Sequence, residues 1–299
     1  VRLFAFEEVV PDQEFWTSKL KKAFALRQTL GLTAAETTNC YRLVHAAGDG
    51  LPGLIIDIYG DTAVLQCHSI GMYREREKLV VALQELYGDR LKAVFDKSTE
   101  TLPRNFAADV QEGYLFGQSK PQEVLENGHR FWVNWAAGQK TGFFLDQREN
   151  RQLLTRYVKD KQVLNAFCYS GGFSVYALAA GAKSVQSVDL SRQAIEWTDR
   201  NVQLYAPDAS HESYAEDVLQ FLKRLETPVD VMVVDPPAFA KNIRKRHNAV
   251  QGYKRLNALA MRKLAPGGIL FTFSCSKVVD AQLFENTMLA AALEVGRSV

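Results

Sequence analysis

The chain has 299 residues, of which 47% are hydrophobic and 23% are charged, and its net charge at neutral pH is +2. This length predicts two domains, and the composition is that of a globular protein, which excludes an intrinsically disordered chain. The apolar runs are too short to span a membrane, and the small net charge means that any contact with nucleic acid must come from local clusters of Lys and Arg.

The first third of the chain predicts a small α+β module that ends near residue 110. Its predicted elements are a strand at 1–6, a helix at 14–30, a hairpin of strands at 53–59 and 62–68, a helix at 72–87 and a strand at 91–96. Gly31 is a plausible C-cap of the first helix. We find no pair of acid and base residues and no glycine loop in this module that would indicate catalysis.

The pattern changes from about residue 113, where a predicted hairpin at 122–135 turns at Asn127-Gly128 and a helix begins at Gln147. Strands and helices then alternate. The predicted strands cover 163–167, 184–189, 212–215, 230–235 and 269–274, helices begin near Phe173, Arg192, Val218 and Tyr253, and a last helix covers 281–293. Such alternation predicts an α/β fold with a parallel sheet, in which ligands bind at the carboxyl ends of the strands.

The first of these strands runs into a glycine-containing loop, Cys168-Tyr169-Ser170-Gly171-Gly172. Such a loop lets a ligand approach the backbone and the next helix, although a tight turn without a ligand explains it equally well. Asp189 ends the second strand, where an acidic side chain can accept hydrogen bonds from ribose hydroxyls. The loop lacks the first glycine of the dinucleotide fingerprint, which favours S-adenosylmethionine over NAD.

Two further strand ends carry polar side chains. The third strand ends at Glu216-Asp217, where a carboxylate could accept from an adenine amine, or could equally be a solvated turn. The fourth ends at Asp235-Pro236-Pro237-Ala238-Phe239. Its prolines turn the chain out of the sheet, Asp235 could hold a polar base edge, and Phe239 offers a stacking face.

The fifth strand leads into Cys275 and Lys277. Because the fourth and fifth strands are neighbours in a doubly wound sheet, Cys275 is expected beside Asp235-Pro236-Pro237. A cation two residues away could lower the pKa of its thiol, so we interpret Cys275 as a nucleophile. Cys40 and Cys67 are interpreted as buried apolar residues, and Cys168 as part of the cofactor loop.

A basic run follows the predicted substrate edge at residues 241–247. Lys241, Arg244, Lys245 and Arg246 are expected to bind an RNA backbone, and a solvated loop is the alternative. The four cysteines show no spacing typical of a metal site or a disulfide framework, and the N-terminus has no signal-peptide pattern. We therefore expect a cytoplasmic protein without a metal or a membrane partner, either a monomer or a homodimer.

With these motifs, the chain resembles bacterial 23S ribosomal RNA cytosine-5 methyltransferases that carry an N-terminal PUA domain. The shared motifs are residues 41–45, 49–53, 138–148 and 165–172, Asp189, Asp217, and residues 235–239 and 273–276. The resemblance implies a class I (Rossmann-like) methyltransferase domain at 111–299, a linker or RNA-binding module at 11–110 and a PUA remnant at 1–10, with strands missing at both ends. It implies a cofactor site formed by Gln139, Lys140, Phe144, Asn165, Phe167, Tyr169, Ser170, Gly171, Asp189, Asp217, Asp235 and Pro236.

The resemblance also implies a chemistry, because related guanine-N methyltransferases have no cysteine at the position of Cys275. A thiolate adds to C6 of cytosine, C5 takes the methyl group, a base removes the C5 proton and the thiolate leaves. Other cytosine-C5 enzymes have a cysteine after the fourth-strand proline, where this chain has Pro237-Ala238, and Asp235 is a candidate for the base. A guanine-N or small-molecule methyltransferase, and a non-catalytic RNA-binding protein, stay open as alternatives.

Overall fold

The computed structural model describes residues 4–240 and 242–298. The chain forms two compact units, with the boundary between Arg148 and Glu149. We refer to them as the first unit and the second unit.

The first unit contains a five-stranded sheet, a separate hairpin and four helices within its described residues. Its elements are α1 (Gln13–Thr29), β1 (Cys40–His45), β2 (Leu54–Tyr59), β3 (Thr62–Cys67), α2 (Ile70–Arg74), α3 (Arg76–Tyr87), β4 (Ala93–Asp96), α4 (Arg104–Ala107), β5 (Gly113–Gly117), β6 (Gln122–Glu126) and β7 (His129–Val133). The sheet order is β1-β2-β3-β4-β5, in which only β3 and β4 pair in parallel, and β6 pairs with β7. Residues of α1 and α3, such as Leu20 and Leu83, share one hydrophobic core with the sheet.

Most of the elements predicted for this unit are confirmed, including α1, the β2–β3 hairpin and the β6–β7 hairpin. The helix predicted at 72–87 is instead two helices that meet at Glu75. The strand predicted at 1–6 is wrong over residues 4–6, which are not in a strand and pair with no described strand. The Phe6 side chain there is 98% exposed. Residues 1–3 of that prediction lie outside the described residues.

The first unit extends to Arg148, well beyond the boundary near residue 110 that we predicted. Residues 113–117 form β5, which pairs with β4 and completes the sheet. The Arg148 guanidinium donates to the Cys40 carbonyl and pairs with the buried Glu126 carboxylate at 3.2 Å. The first contact ties Arg148 to β1 of the five-stranded sheet, and the second ties it to β6 of the hairpin.

The second unit is a five-stranded parallel sheet with helices on both faces. Its elements are α5 (Arg148–Leu154), β8 (Gln162–Ala166), α6 (Gly172–Ala179), β9 (Ser184–Asp189), α7 (Arg192–Tyr205), β10 (His211–Ala215), α8 (Val218–Arg224), β11 (Val229–Val234), α9 (Arg246–Arg262), β12 (Leu264–Thr272) and α10 (Ala281–Val295). The strand order is β10-β9-β8-β11-β12, so the chain adds strands on one side of β8 first and then on the other side. This switch beside the first strand is typical of a Rossmann-like sheet. The predicted α/β fold is confirmed.

Alternate residues of the second sheet enter two separate cores. Leu164 and Met232 belong to one core, and Val163 and Val233 belong to the other. Such strands are buried on both faces, which is typical of parallel sheets. No helix in residues 4–240 and 242–298 is both long and apolar enough to cross a bilayer.

Candidate active site

The loop after β8 has an unusual backbone. Phe167, Tyr169 and Gly171 all have positive φ, at 62°, 49° and 76°. A Cβ added at Gly171 would lie 2.8 Å from Cγ2 of Thr198, so a larger residue does not fit there. Left-handed backbone is uncommon outside glycine and is concentrated at functional sites.

Two side chains of α7 hold this loop in place. The Thr198 hydroxyl donates to the Tyr169 carbonyl at 2.8 Å, and the Asn201 amide donates to the Ser170 carbonyl at 2.8 Å. Ser170 is buried as well. The loop is therefore already ordered by its own chain, which reduces the entropy lost on binding a ligand.

Asp189 and the loop meet, as the sequence predicts. One carboxylate oxygen of Asp189 accepts from the Tyr169 N–H at 3.0 Å, and the other accepts from the Ser191 N–H at 2.9 Å. Each oxygen has a second lone pair with which it can accept from a ligand hydroxyl. The carboxylate is partly exposed at the carboxyl end of β9.

Asn165 lies near the end of β8 and is 1% exposed. Its Nδ2 donates to the Ser174 hydroxyl at 2.8 Å, while its Oδ1 is buried without a hydrogen-bond partner among the described residues. A buried acceptor without a donor costs about 1–3 kcal/mol. Its presence beside the loop indicates a place for a donor that a ligand supplies.

Asp217 caps a helix at the end of β10. Its carboxylate accepts from the Gln220 N–H at 3.0 Å, and the side chain is exposed. The neighbouring Glu216 pairs with Arg224 at 2.6 Å. The adenine contact of Asp217 stays a prediction beside this capping role.

The ends of β11 and β12 bring Cys275 and the double-proline motif together. The Cys275 thiol donates to the Pro236 carbonyl, with Sγ and O 3.7 Å apart. Cys275 is exposed, Pro236 is buried and Asp235 is partly exposed. A thiol and a carboxylate thus lie at neighbouring strand ends, where the sheet topology predicts them.

Further side chains, which the sequence pattern did not indicate, support these two strand ends. The buried Ser276 hydroxyl accepts from the Ala240 N–H at 3.4 Å and bonds the Tyr253 hydroxyl at 2.9 Å. Phe239 packs its ring 4.6 Å from that of Tyr253, and a Cβ at Gly252 would lie 3.0 Å from the Phe239 ring. The sequence signal for this packing was Gly252 inside α9, because a glycine there lowers helix stability by about 1 kcal/mol relative to alanine.

The other three cysteines are buried. Burial raises the pKa of the Cys168 thiol, and burial raises the pKa of the Cys67 thiol to about 12. Both stay protonated at neutral pH, and a protonated thiol is a poor nucleophile.

The predicted RNA-binding segment is exposed at residues 242–247. Arg244 and Lys245 lie in a short 3-10 turn and Arg246 begins α9. Within the part of the chain that the structure describes, no carboxylate pairs with any of the three. Lys241 lies outside the described residues.

The predicted cofactor contacts Gln139, Lys140 and Phe144 belong to the first unit. Lys140 has a φ of 50°, and its ammonium group lies 3.2 Å from the Asp146 carboxylate and 4.3 Å from the centre of the Phe144 ring. The Gln139 carbonyl accepts from the Gly142 N–H at 2.8 Å. These three residues share one turn of the chain.

A buried polar network anchors this turn to the first sheet. The Thr141 hydroxyl donates to the Asp57 carboxylate at 2.6 Å, and Arg42 binds the same carboxylate through two bonds of 2.8 and 2.9 Å. The Tyr59 hydroxyl bonds Thr141 at 2.9 Å. The signal in the sequence was an acid inside the apolar strand LIIDIY.

Lys97 holds the segment that precedes the turn. Its ammonium group is buried and donates to the carbonyls of Trp135, Ala136 and Gly138, at 3.1 Å in the case of Ala136. Burial lowers the pKa of this ammonium group. Three carbonyl acceptors compensate in part for its removal from water.

The second-unit residues fit S-adenosylmethionine. The loop has no Cβ at Gly171, the Asp189 carboxylate can accept ribose hydroxyls, and the buried Asn165 oxygen needs a donor. Residues 81–294 match the model of a family described as S-adenosylmethionine-dependent methyltransferases. The chain belongs to this family. Its cofactor is S-adenosylmethionine.

Similar proteins agree with this assignment. Ribosomal RNA large subunit methyltransferase I of Tolumonas auensis is 40% identical over 293 residues, which cover 96% of this methyltransferase and 73% of that protein. A methyltransferase crystallised with SAH has a TM-score of 0.84 at 25% identity, over 97% of this chain and 74% of that one. The tRNA m1G37 methyltransferase of M. jannaschii, at 21% identity and a TM-score of 0.54 over 78% of this chain and 67% of that one, shares the fold.

Proposed function

We propose that this methyltransferase forms 5-methylcytosine in 23S ribosomal RNA, with Cys275 as the nucleophile. The observation that carries the proposal is the exposed Cys275 thiol, which contacts the Pro236 carbonyl where the neighbouring strands β11 and β12 end. The similarity to ribosomal RNA large subunit methyltransferase I supports the choice of RNA. Such a substrate agrees with the predicted cytoplasmic location.

Cytosine C5 is a poor nucleophile until C6 has been attacked. The Cys275 thiolate forms a bond to C6, and the electron pair of the C5–C6 double bond moves toward C5. S-adenosylmethionine, when bound, supplies the electrophilic methyl group that C5 takes. A base then removes the C5 proton, the double bond re-forms and the Cys275 thiolate leaves. Asp235, next to the proline that accepts from Cys275, is our candidate for the base.

For cofactor binding, we assign the ribose to Asp189 and the adenine amine to Asp217, near the loop of Phe167, Tyr169, Ser170 and Gly171. The free lone pairs of Asp189 support this assignment. Gln139, Lys140 and Phe144 stay predicted cofactor contacts on the resemblance alone, as does the PUA remnant at residues 1–10.

For RNA binding, we assign the backbone to Lys241, Arg244, Lys245 and Arg246 and the stacking face to Phe239. Arg246 begins α9, where the helix dipole disfavours a cation by about 0.3–1 kcal/mol. Its exposed guanidinium, which no carboxylate of the described residues pairs with, supports a role in binding phosphate. The Phe239 ring is 36% exposed while it packs on Tyr253, which leaves part of it for a base.

The nature of the methylated nucleoside tests the proposal. Unmodified 23S RNA is incubated with the full chain and methyl-labelled S-adenosylmethionine, digested to nucleosides and analysed by mass spectrometry. We expect the label in 5-methylcytidine and none with the Cys275→Ala variant. Label in a methylated guanosine would contradict cytosine specificity, and label with no RNA dependence would contradict an RNA substrate.

A further inference from the structure

A buried chain of hydrogen bonds leads from the cofactor loop to the far edge of the sheet. Asn165 Nδ2 lies 2.8 Å from the Ser174 hydroxyl, which lies 2.7 Å from the Ser187 hydroxyl, which lies 2.8 Å from His211 Nε2. The residues come from β8, α6, β9 and β10 in turn. Asn165, Ser174 and Ser187 are all at most 1% exposed, so water does not compete for these bonds.

The direction of this chain is set at its two ends. The Asn165 amide nitrogen can only donate, and each hydroxyl has one proton to pass on. With Asn165 as the first donor, Ser174 donates to Ser187, Ser187 donates to His211, and Nε2 must be an acceptor. The same direction leaves Asn165 Oδ1 as the buried atom without a partner.

His211 is in the form that this direction requires. The Asp199 carboxylate of α7 lies 3.9 Å from Nδ1, which favours the ring proton on that nitrogen, and Glu212 is the other charged group near the ring. Burial lowers the pKa of the His211 imidazole, and these two acids oppose the shift. The ring is therefore neutral at pH 7, with Nε2 free to accept from Ser187.

We propose that Ser174, Ser187 and His211 are positioning residues, which present Asn165 Oδ1 as the acceptor for the ammonium group of S-adenosylmethionine, and that protonation of His211 reverses the chain. This proposal rests on the proposed cofactor site, to which the resemblance assigns Asn165. The ammonium group is the charged donor of the cofactor, and a charged donor gains most from a buried acceptor.

Protonated His211 donates from both nitrogens. Ser187 must then accept from Nε2 and donate to Ser174, and Ser174 must donate to Asn165. The Asn165 oxygen has to turn to Ser174 to accept that bond, and its NH2 group then faces the ammonium group. Two donors repel each other, so affinity for the cofactor falls as the pH falls through the pKa of His211.

Calorimetry with S-adenosylhomocysteine between pH 8 and pH 5 tests the chain on the full protein. For the wild type we expect affinity to fall several-fold by pH 5. The full loss of about tenfold, the effect of one hydrogen bond to a charged group, is reached only below the pKa of His211 in the complex. Ser187→Ala interrupts the chain, and we expect weaker binding with little dependence on pH. His45→Gln, on an exposed histidine of the first unit, should keep the wild-type pH profile.

A second measurement follows the His211 ring itself in the wild-type protein. By linkage, a tenfold preference for neutral His211 lowers its pKa by about one unit when ligand binds. NMR titration of the His211 ring, with and without S-adenosylhomocysteine, should show this fall. Its resonance is identified by its absence in His211→Gln.

Two results would overturn the proposal: the same pH profile in the wild type and Ser187→Ala, or a His211 pKa that does not move when ligand binds. The Asp189→Ala variant separates this failure from failure of the cofactor site. If Asp189→Ala binds weakly but the wild-type His211 pKa does not move when ligand binds, the result counts against the hydrogen-bond chain alone. Unchanged binding in Asp189→Ala counts against the proposed site.

Discussion

The four cysteine side chains differ in solvent exposure, and exposure affects how readily a thiol reacts. Cys275 lies at a strand end with its thiol near the Pro236 carbonyl, whereas Cys40, Cys67 and Cys168 are enclosed. A buried thiol has a raised pKa and is also shielded from reagents. Among the four cysteines, Cys275 is therefore the one whose thiol a reagent can reach.

We expect iodoacetamide at neutral pH to modify the native protein once, at Cys275. The unfolded chain should take up four labels, one for each cysteine. Peptide mapping by mass spectrometry locates the label, and Cys275→Ser provides the control without a fast site. Earlier labelling of Cys168 than of Cys275 would contradict the exposure that the fold gives them.

Asp189→Ala should weaken S-adenosylhomocysteine binding by roughly 1.5–3 kcal/mol, the range for hydrogen bonds to a charged group. The substitution removes the proposed ribose acceptor and also the bond to the Tyr169 N–H. Calorimetry measures the change. Asp208→Ala, an exposed acid of the same unit, serves as the matched control and should bind normally.

At the scale of elements, residues 138–148 are held by buried polar groups of the first sheet. Asp57 is fully buried and binds both Arg42 and Thr141. Loss of one partner in a buried ion pair leaves the other charge uncompensated. The network therefore contributes to the stability of the first unit as well as to the shape of the turn.

Asp57→Ala should lower the free energy of unfolding by about 3 kcal/mol, the low end of the range for breaking a buried pair, because Arg42 keeps some solvent contact. The exposed pair of Arg130 and Glu123, 3.6 Å apart in the same unit, is the matched control. Arg130→Ala should cost less than about 1 kcal/mol. Urea unfolding measures both, and equal effects would contradict a structural role for the network.

The basic loop gives a second prediction at this scale. Replacement of Lys241, Arg244, Lys245 and Arg246 by alanine should reduce RNA affinity and flatten its salt dependence by up to about 0.9 per lost phosphate contact. Filter binding over a range of salt concentrations measures the slope, and S-adenosylhomocysteine binding should not change.

The control for this loop lies at the amino ends of the strands, where Lys159, Lys161 and Lys183 are exposed. Their replacement by alanine removes charge from the edge opposite the site. We expect a nearly unchanged salt slope from this variant. If both sets of substitutions change the slope equally, the effect is one of net charge and the loop has no special role.

At the scale of the whole molecule, local patterns predicted the second unit better than the first. Buried runs such as Val231-Met232-Val233-Val234, bounded by turns, predict parallel strands, and the topology then places Cys275 beside Pro236. The first unit depends on contacts between residues far apart in the chain, which local sequence patterns do not predict. Thr141 and Asp57 are 84 residues apart, and β5 is a short, partly buried segment with a glycine at each end.

The fold by itself does not select the base that is methylated. A tRNA m1G37 methyltransferase has the same fold at 21% identity. What distinguishes the cytosine-C5 proposal is a nucleophile that adds to the base, because methylation at a base nitrogen needs no covalent adduct between enzyme and RNA.

The most direct test is therefore to trap that adduct. RNA with 5-fluorocytosine at the target position is incubated with the protein and S-adenosylmethionine, and the covalent complex is digested and mapped. Fluorine cannot leave as a proton, so elimination stalls and the bond between sulfur and C6 persists. We expect a methylated adduct on Cys275 and none with Cys275→Ala, which should still bind RNA and S-adenosylhomocysteine. Normal turnover by Cys275→Ala, or an adduct on Cys168, would contradict the proposal.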